Sequence, residues 1–331
     1  MLSRVSILIV TWNGDDLLRD CLDSLDAVYA DVPEIVVVDN AAMESTRNLV
    51  ARHPHTKYIS SKENLGFAGG NNLGWPLTSS EYVVLLNNDT RFTGDSITPL
   101  IEYMDSHPAC AAAQGTVVFE AEPDKTDGTG LWWSPLGILA PEGAYKPLKE
   151  APSDVREVFS IGGAFFVVRR SAVKKAGGLF YDHFKSYYEE INLCHRLWLV
   201  GYHCAYVPTL PVLHRHSATA SRLGWDRILK QYYRNIWFST LTCFDWYGLL
   251  RFIPPLFLLC VAQSLVAMLK GRFNVCRAHM SNLGRLWRDR KLIRRTRRDV
   301  RGCAVLSDWK LFKSAVRSQP WSYYWGLVKR G

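Results

Sequence analysis

Apolar residues along this chain fall into short unbroken runs separated by stretches of helical period. Residues 5–10 (VSILIV) predict a first strand, 34–38 (EIVVV) a second, 57–60 a short third and 82–86 (YVVLL) a fourth. Between them Leu17, Leu18, Cys21, Leu22 and Leu25 share one face of a helix that opens at Asp15 and Asp16, and Ser45 is expected to cap a helix ending near Arg52. Runs this apolar read as strands buried on both faces. Their alternation with helices predicts an α/β fold with a mostly parallel central sheet, flanking helices and right-handed crossovers. Further on, the pattern predicts a helix over 95–107, a strand near 111–118, a strand over 159–170, a helix opened by Tyr187-Tyr188-Glu189-Glu190 and ending at Gly201, and a strand over 202–207.

Polar residues at the strand ends carry the candidate chemistry. The fourth strand runs into Asn87, Asn88 and Asp89. A carboxylate there is costly unless paired, and ligands of open α/β sheets sit outside the strands' carboxyl ends. Asp89 is therefore placed to hold a hard cation, with Asn87 and Asn88 as neutral oxygen donors or as shapers of the turn; a plain Asn-Asn-Asp turn would also end a strand. Thr11, Asn13 and Asp39 end the first two strands, and such short polar groups suit a base or ribose edge or strand-end turns. The first turn, WNGDD, lacks G-x-G-x-x-G, which argues against a nicotinamide or flavin domain.

Residues 64–72 (NLGFAGGNN), with Asn64, Gly66, Gly70 and Asn71, allow close backbone approach to a ligand and lead into a helix start of the kind that binds anions; a plain glycine-rich loop is the alternative. Residues 120–156, rich in Pro, Gly, Asp and Lys and carrying Trp132 and Trp133, are expected to be the least structured part, mobile and substrate-facing. Gly162 and Gly163 mark a bulge or a close ligand within a strand. Glu189 and Glu190 are either first-turn residues favoured by the helix dipole or a pair with one carboxylate aimed into the cleft. His214 and His216 stand beside Ser217 and Thr219 after an apolar run.

Seven motifs in order, VSILIVTWNG, EIVVVDNA, NLGFAGGNN, YVVLLNND, GGAFFVVRRSAVKKAGGLF, YYEEINLCHR and VPTLPVLHRHSAT, span about residues 5–219. Together the chain resembles family 2 glycosyltransferases of the GT-A fold, and within them the bacterial rhamnosyltransferase-like branch. The resemblance implies inverting transfer of a sugar, with a dTDP-rhamnose-like donor suggested by the branch, from a nucleoside diphosphate to a glycan or polyprenyl-diphosphate-linked acceptor in cell-surface polysaccharide synthesis. It implies that Thr11, Asn13 and Asp39 hold the donor nucleotide. Asp89 matches the last residue of a D-x-D-like motif that binds Mg2+ or Mn2+, and His214 completes that site. Glu190 matches the base, with Glu189 as the fallback, while Gly162 and Gly163 line the sugar and acceptor site, to which Trp132 is also assigned. Asn64, Gly66, Gly70, Asn71 and Asn88 are counted with the donor site. Departures are Asn87 where many members have aspartate, which leaves fewer charged metal ligands, Glu190 for the commoner aspartate, and Tyr181 and Asn192 where acidic residues are frequent.

Composition adds a second region. The 331 residues are 48% hydrophobic with twelve tryptophans, a number that hints at an interface. Eight cysteines without a C-x-x-C pair suggest reduced thiols in a cytoplasmic setting, and the N-terminus does not read as a signal peptide. Residues 1–220 carry 18 Lys and Arg against 26 Asp and Glu, whereas 221–331 carry 22 against 5. The expected division is a catalytic domain over 1–220 and a basic helical region over 221–331. Residues 252–269 hold no charge, and a helix starting at Pro255 would be ~24 Å long, short of the ~30 Å bilayer core, which favours a re-entrant or interfacial helix. Twelve Lys and Arg follow in 270–301. An anionic membrane surface, at the cytoplasmic face of the plasma membrane, is expected as partner rather than nucleic acid. Two rival functions are a sugar nucleotidyltransferase, which usually has a basic glycine-rich first loop where WNGDD is acidic, and a non-catalytic membrane-bound scaffold.

Overall fold

The computed structural model describes residues 1–29, 34–216 and 225–329. Ser217, Thr219 and the boundary expected at 220 and 221 lie outside the described residues. The chain divides into two compact units, Met1–Leu131 with Pro141–Leu197 and Tyr202–Ala218, and Trp132–Ala140 with Trp198–Gly201 and Thr219–Gly331.

In chain order the elements are β1 (Val5–Thr11), α1 (Asp15–Val28), β2 (Glu34–Asp39), α2 (Glu44–Val50), β3 (Thr56–Ser60), α3 (Gly66–Gly74), β4 (Tyr82–Asn87), β5 (Thr90–Phe92), α4 (Thr98–Ser106), β6 (Cys110–Gln114), β7 (Val117–Phe119), β8 (Glu122–Thr126), β9 (Leu131–Trp133), β10 (Leu139–Pro141), β11 (Arg156–Val158), β12 (Phe165–Arg169), α5 (Arg170–Lys175), α6 (Glu189–Leu199), β13 (His203–Tyr206) and β14 (Val212–His214). Eight strands form one sheet in the order β11-β13-β6-β12-β4-β1-β2-β3. The β4-β1-β2-β3 half is parallel, as the alternating pattern predicts. β12 lies antiparallel between β4 and β6, so the whole sheet is mixed. Val5, Ile7, Ile9, Val37, Val84 and Leu86 meet Leu18, Cys21, Leu22 and Leu25 of α1 in the core, all at or near zero exposure. A four-stranded sheet, β5-β14-β7-β8, lies beyond the end of β4.

Several expectations are corrected. The glycine-rich stretch is itself helix α3, because its glycines let the helix lie close on the sheet: a Cβ on Gly74 would fall 2.4 Å from Leu8 Cδ1 and 2.7 Å from Val38 Cγ2. Ser45 is not a cap; α2 starts at Glu44 after Met43. The strand expected over 159–170 begins only at Phe165, after the Gly-Gly pair. The one expected near 111–118 is two strands in different sheets, β6 and β7. Residues 120–156 are not structureless, since they contribute β8 to β10 and the start of β11.

In the second unit Trp133 is 2% exposed and stacks on Phe252, with ring centroids 5.5 Å apart, while Phe244 and Phe312 close around Phe252 at 5.1 and 4.7 Å. Gly137 (φ +71) has no room for a side chain against Phe252. Trp132 is 5% exposed, with the Arg317 guanidinium 3.9 Å over its ring. Both tryptophans thus pack rather than face a cleft. The apolar helix starts at Trp246, not Pro255, and runs to Leu269 with both prolines inside it. Asp245 caps it by accepting the Gly248 N–H at 3.0 Å. Its 24 residues have a mean hydropathy of 2.1 over the most apolar 18 and span ~36 Å at ~1.5 Å per residue. By length and composition it can cross a membrane, contrary to the expected shortfall. Helices Phe273–Arg288 and Arg290–Gly302 follow, the second with Ile293, Thr296 and Val300 buried and Arg294, Arg295 and Arg298 exposed.

Candidate functional site

The site forms where strand ends of the first unit meet. Thr11 and Asp39 are paired in register at the ends of β1 and β2. Thr11 Oγ1 accepts the Asn88 Nδ2–H at 2.9 Å, which ties β1 to the turn after β4. A Cβ on Gly14 would lie 2.8 Å from Asn88 Nδ2 and would crowd this amide where it bonds Thr11. Asp39 is fully buried and already engaged: its carboxylate accepts Ala41 N–H (2.8 Å), Met43 N–H (2.7 Å) and the Tyr58 hydroxyl (2.9 Å). Asn13 is exposed and has a left-handed backbone, φ 51.

The expected anion site at the start of α3 is not open. Gly66 N–H donates to Asn64 Oδ1 (2.8 Å), Phe67 N–H to Ser186 Oγ (3.1 Å) and Ala68 N–H to Lys185 O (2.7 Å). Gly70 and Asn71 are buried; a Cβ on Gly70 would meet Val10 Cγ1 at 2.6 Å, and Asn71 Nδ2 donates to Phe67 O at 2.9 Å.

Asp89 and His214 do come together. β14 pairs with β5 so that His214 faces Thr90 in register, next to Asp89. His214 Nε2 lies 3.2 Å from Asp89 Oδ1, and its Nδ1 lies 2.7 Å from Asp127 Oδ2. Burial disfavours the imidazolium, but the hydrogen bonds to Asp127 and Asp89 and their charges outweigh it and push the imidazole up to about 9. Asp127 fixes the imidazole from behind, in the manner of carboxylates that orient metal-bound histidines. It was invisible in the sequence as one acid in a polar segment; the Thr126–Val118 pairing of β8 with β7 delivers it. As it stands the imidazolium donates Nε2–H to Asp89 Oδ1; two donors on adjacent corners of an octahedron with ~2.1 Å bonds stand ~3.0 Å apart, so a divalent ion could take the place of that proton between the two. Among the described residues no cluster of three His, Cys, Asp or Glu side chains converges on one point. His216 is exposed, with its ring edge-on to Phe119 and to His214.

The Gly-Gly pair faces the glutamates. Gly162 N–H donates to Gln114 Oε1 at 2.6 Å, and Gln114 Nε2–H donates to Gly128 O at 3.0 Å. A Cβ on Gly163 would stand 3.5 Å from Glu190 Oε1, so the carboxylate lies against bare backbone. Asn87 N–H donates to Ala164 O at 2.9 Å, which places the Asp89 turn beside this pair. Glu190 keeps a partly exposed edge, and burial of the rest pushes its carboxyl up to about 7. Glu189 is 4% exposed, and its Oε2 has no hydrogen-bond partner among the described residues. Burial and then the Glu190 charge drive its carboxyl well above the usual range. Both carboxyls are shifted upward, and Glu190, at about 7 with an edge open to solvent, is suited to proton transfer near neutrality. Gln114 was missed because a glutamine in an alanine-rich strand carries no motif.

The model of a family described as "Glycosyl transferase family 2" matches residues 6–177. The chain is 25% identical over 246 residues to the N-acetylglucosaminyl-diphospho-decaprenol L-rhamnosyltransferase of Mycobacterium tuberculosis, covering 67% of this chain and 79% of that one. It is 27% identical over 206 residues to the low-salt glycan biosynthesis hexosyltransferase of Haloferax volcanii, covering 59% of this chain and 62% of that one. Among solved structures it is similar to GalNAc-T7 with UDP, GalNAc and Mn2+, at a TM-score of 0.54 and 15% identity, covering 70% of this chain and 47% of that one. The structural likeness shows a shared fold, the GT-A fold, as the motifs imply.

Proposed function

The chain belongs to glycosyl transferase family 2, and on that premise we propose that it transfers a sugar from a nucleoside diphosphate donor to a glycan or polyprenyl-diphosphate-linked acceptor, with inversion at the anomeric carbon. The observation that carries this reading is the 3.2 Å approach of Asp89 Oδ1 to His214 Nε2 at two strand ends. These two residues would hold Mg2+ or Mn2+ against the donor diphosphate. When bound, such an ion supplies charge neutralisation for the departing nucleoside diphosphate. Asp127 holds the imidazole in the tautomer that presents Nε2. Thr11, Asn13 and Asn88 border the donor, and Asp39 shapes the turn beside it. Glu190, backed by Gly163, takes the proton of the acceptor hydroxyl as its oxygen bonds to the anomeric carbon and the bond to the diphosphate oxygen breaks on the opposite face.

The similarity to the mycobacterial rhamnosyltransferase supports a dTDP-rhamnose-like donor and a lipid-linked acceptor. The Mn2+ in the GalNAc-T7 structure is in keeping with divalent metal use. The apolar helix Trp246–Leu269 and the basic helix after it support association with an anionic membrane. The test is a panel of nucleoside diphosphate sugars scored by release of nucleoside diphosphate, with and without Mg2+ or Mn2+. One or few donors are expected to be turned over, and only with the ion. A protein that neither binds nor cleaves any donor is the scaffold, not the enzyme.

A further inference from the structure

The segment that delivers Glu189 and Glu190 is held in an unfavourable backbone conformation. Lys185 (φ 58), Tyr187 (φ 70) and Tyr188 (φ 78) are all left-handed and none is glycine. Such residues persist only where their surroundings over-determine them. Here the surroundings are helix α3. Its first turn donates Phe67 N–H to Ser186 Oγ at 3.1 Å and Ala68 N–H to Lys185 O at 2.7 Å. Gly66 (φ +75) permits the approach, since a Cβ there would fall 2.5 Å from Lys185 O. One turn on, the Asn72 amide donates to Phe180 O (2.8 Å) and Asp182 Oδ1 (2.7 Å) and accepts Phe180 N–H at 3.2 Å. Phe67 packs on Phe180 with centroids 5.9 Å apart.

The opposite side of α3 lies on the strands that end in Thr11 and Asp39. Gly70 presses on Val10, Gly74 on Leu8 and Val38, and Asn40 Nδ2 donates to Gly66 O at 3.0 Å. At the far end of the strap, Tyr188 O accepts Asn192 N–H at 3.0 Å, so its last residue is bonded into the first turn of α6. One short helix therefore touches both the donor-side strand ends and the strap that feeds the base.

Resting on the assignment of Glu190 above, we propose that α3 is a clasp that holds the strap 185–188 and, through it, sets Glu190 against the acceptor, with Ser186 and Asn72 as positioning residues. Neither touches the reacting atoms. Opening the clasp lets the strap relax toward ordinary backbone and moves Glu190 away from Gly163. A displacement on the order of 1 Å at a reacting group costs about a hundredfold in rate.

The test compares kcat, donor KM and the pH profile of transfer in Ser186→Ala, Asn72→Ala, Ser186→Thr and Glu190→Gln. Ser186→Ala and Asn72→Ala are expected to lose kcat by about a hundredfold, keep donor KM, and shift the acid limb of the profile to lower pH as Glu190 regains water. Ser186→Thr keeps the acceptor oxygen and restores kcat. Asn72→Ala opens the clasp at its other grip and carries the test should Ser186→Ala not fold. Parent kcat in both alanine variants, a rise in donor KM that accounts for the whole loss, or an equal loss in Ser186→Thr would overturn the clasp. Parent-like transfer in Glu190→Gln would remove the base assignment and the clasp together. A dead Glu190→Gln beside parent-like Ser186→Ala and Asn72→Ala would remove the clasp alone.

Discussion

Asp89 Oδ1 and His214 Nε2 stand 3.2 Å apart, brought from the β4–β5 turn and the end of β14, and Asp127 grips the other imidazole nitrogen at 2.7 Å. If this pair holds the ion, its two kinds of partner fail differently. Asp89→Ala removes a ligand and should abolish ion-dependent turnover. Asp127→Asn leaves both ligands but loosens the imidazole, and should weaken Mn2+ affinity by about 10–100-fold. Calorimetric titration of Mn2+ in the presence of donor nucleotide checks both. Equal affinity in parent and Asp127→Asn would show that the carboxylate does not orient the ligand.

Glu190→Gln should slow transfer by roughly 10²–10⁴-fold while donor binding persists. Glu189→Gln, at a carboxyl buried away from the cleft, should cost far less. The base acts ionised, and burial pushes the Glu190 carboxyl up to about 7. In the parent, kcat/KM should therefore fall about tenfold per pH unit below that value and level off above it. The same shift acts on stability. A carboxyl whose folded pKa is raised binds its proton more tightly in the folded chain. Its stabilising contribution is complete below the ordinary 4.5 and is lost as pH rises through about 7. Denaturant midpoints should show this loss in the parent and a smaller one in Glu190→Gln.

Gly74→Ala tests the packing of α3. The new methyl would fall 2.4 Å from Leu8 Cδ1 and 2.7 Å from Val38 Cγ2, both buried between helix and sheet. Overpacking of this kind costs about 1–3 kcal/mol. Thermal denaturation at neutral pH should show that loss; an unchanged midpoint would mean that the helix can lift from the sheet at no cost.

In the second unit, Trp246, Leu250, Leu258 and Leu269 are 75, 77, 65 and 89% exposed on one long apolar helix. The protein should float with anionic vesicles, more weakly with neutral ones. Arg294→Glu with Arg298→Glu should reduce anionic binding, at about 1 kcal/mol per charge removed near the surface, and make it less salt-sensitive. Binding unaffected by these changes would assign the attachment to the apolar helix alone.

Much of the first unit was legible in the sequence because its parallel strands are unbroken apolar runs with polar ends. The runs at β1, β2 and β4 mark both the sheet and the edge where Thr11, Asp39 and Asp89 sit. What the pattern hid was long-range. Asp127 and Gln114 act through partners that only the folded sheets bring near. Trp132 and Trp133 look like cleft residues in a polar stretch, yet they pack in the second unit. The glycines of α3 suggest a loop, and only the close approach to Leu8 and Val38 shows why a helix needs them. Pro254 and Pro255 mark a helix start by propensity, but the Asp245 cap sets it earlier.

The most direct measurement is single-turnover sugar transfer from the cognate nucleoside diphosphate donor, made in excess chelator and again after Mn2+ or Mg2+ is restored. The account predicts that transfer falls to background with chelator, returns with either ion in the parent, and does not return in Asp89→Ala or His214→Ala. Full transfer in chelator, or recovery in Asp89→Ala equal to the parent, would contradict it.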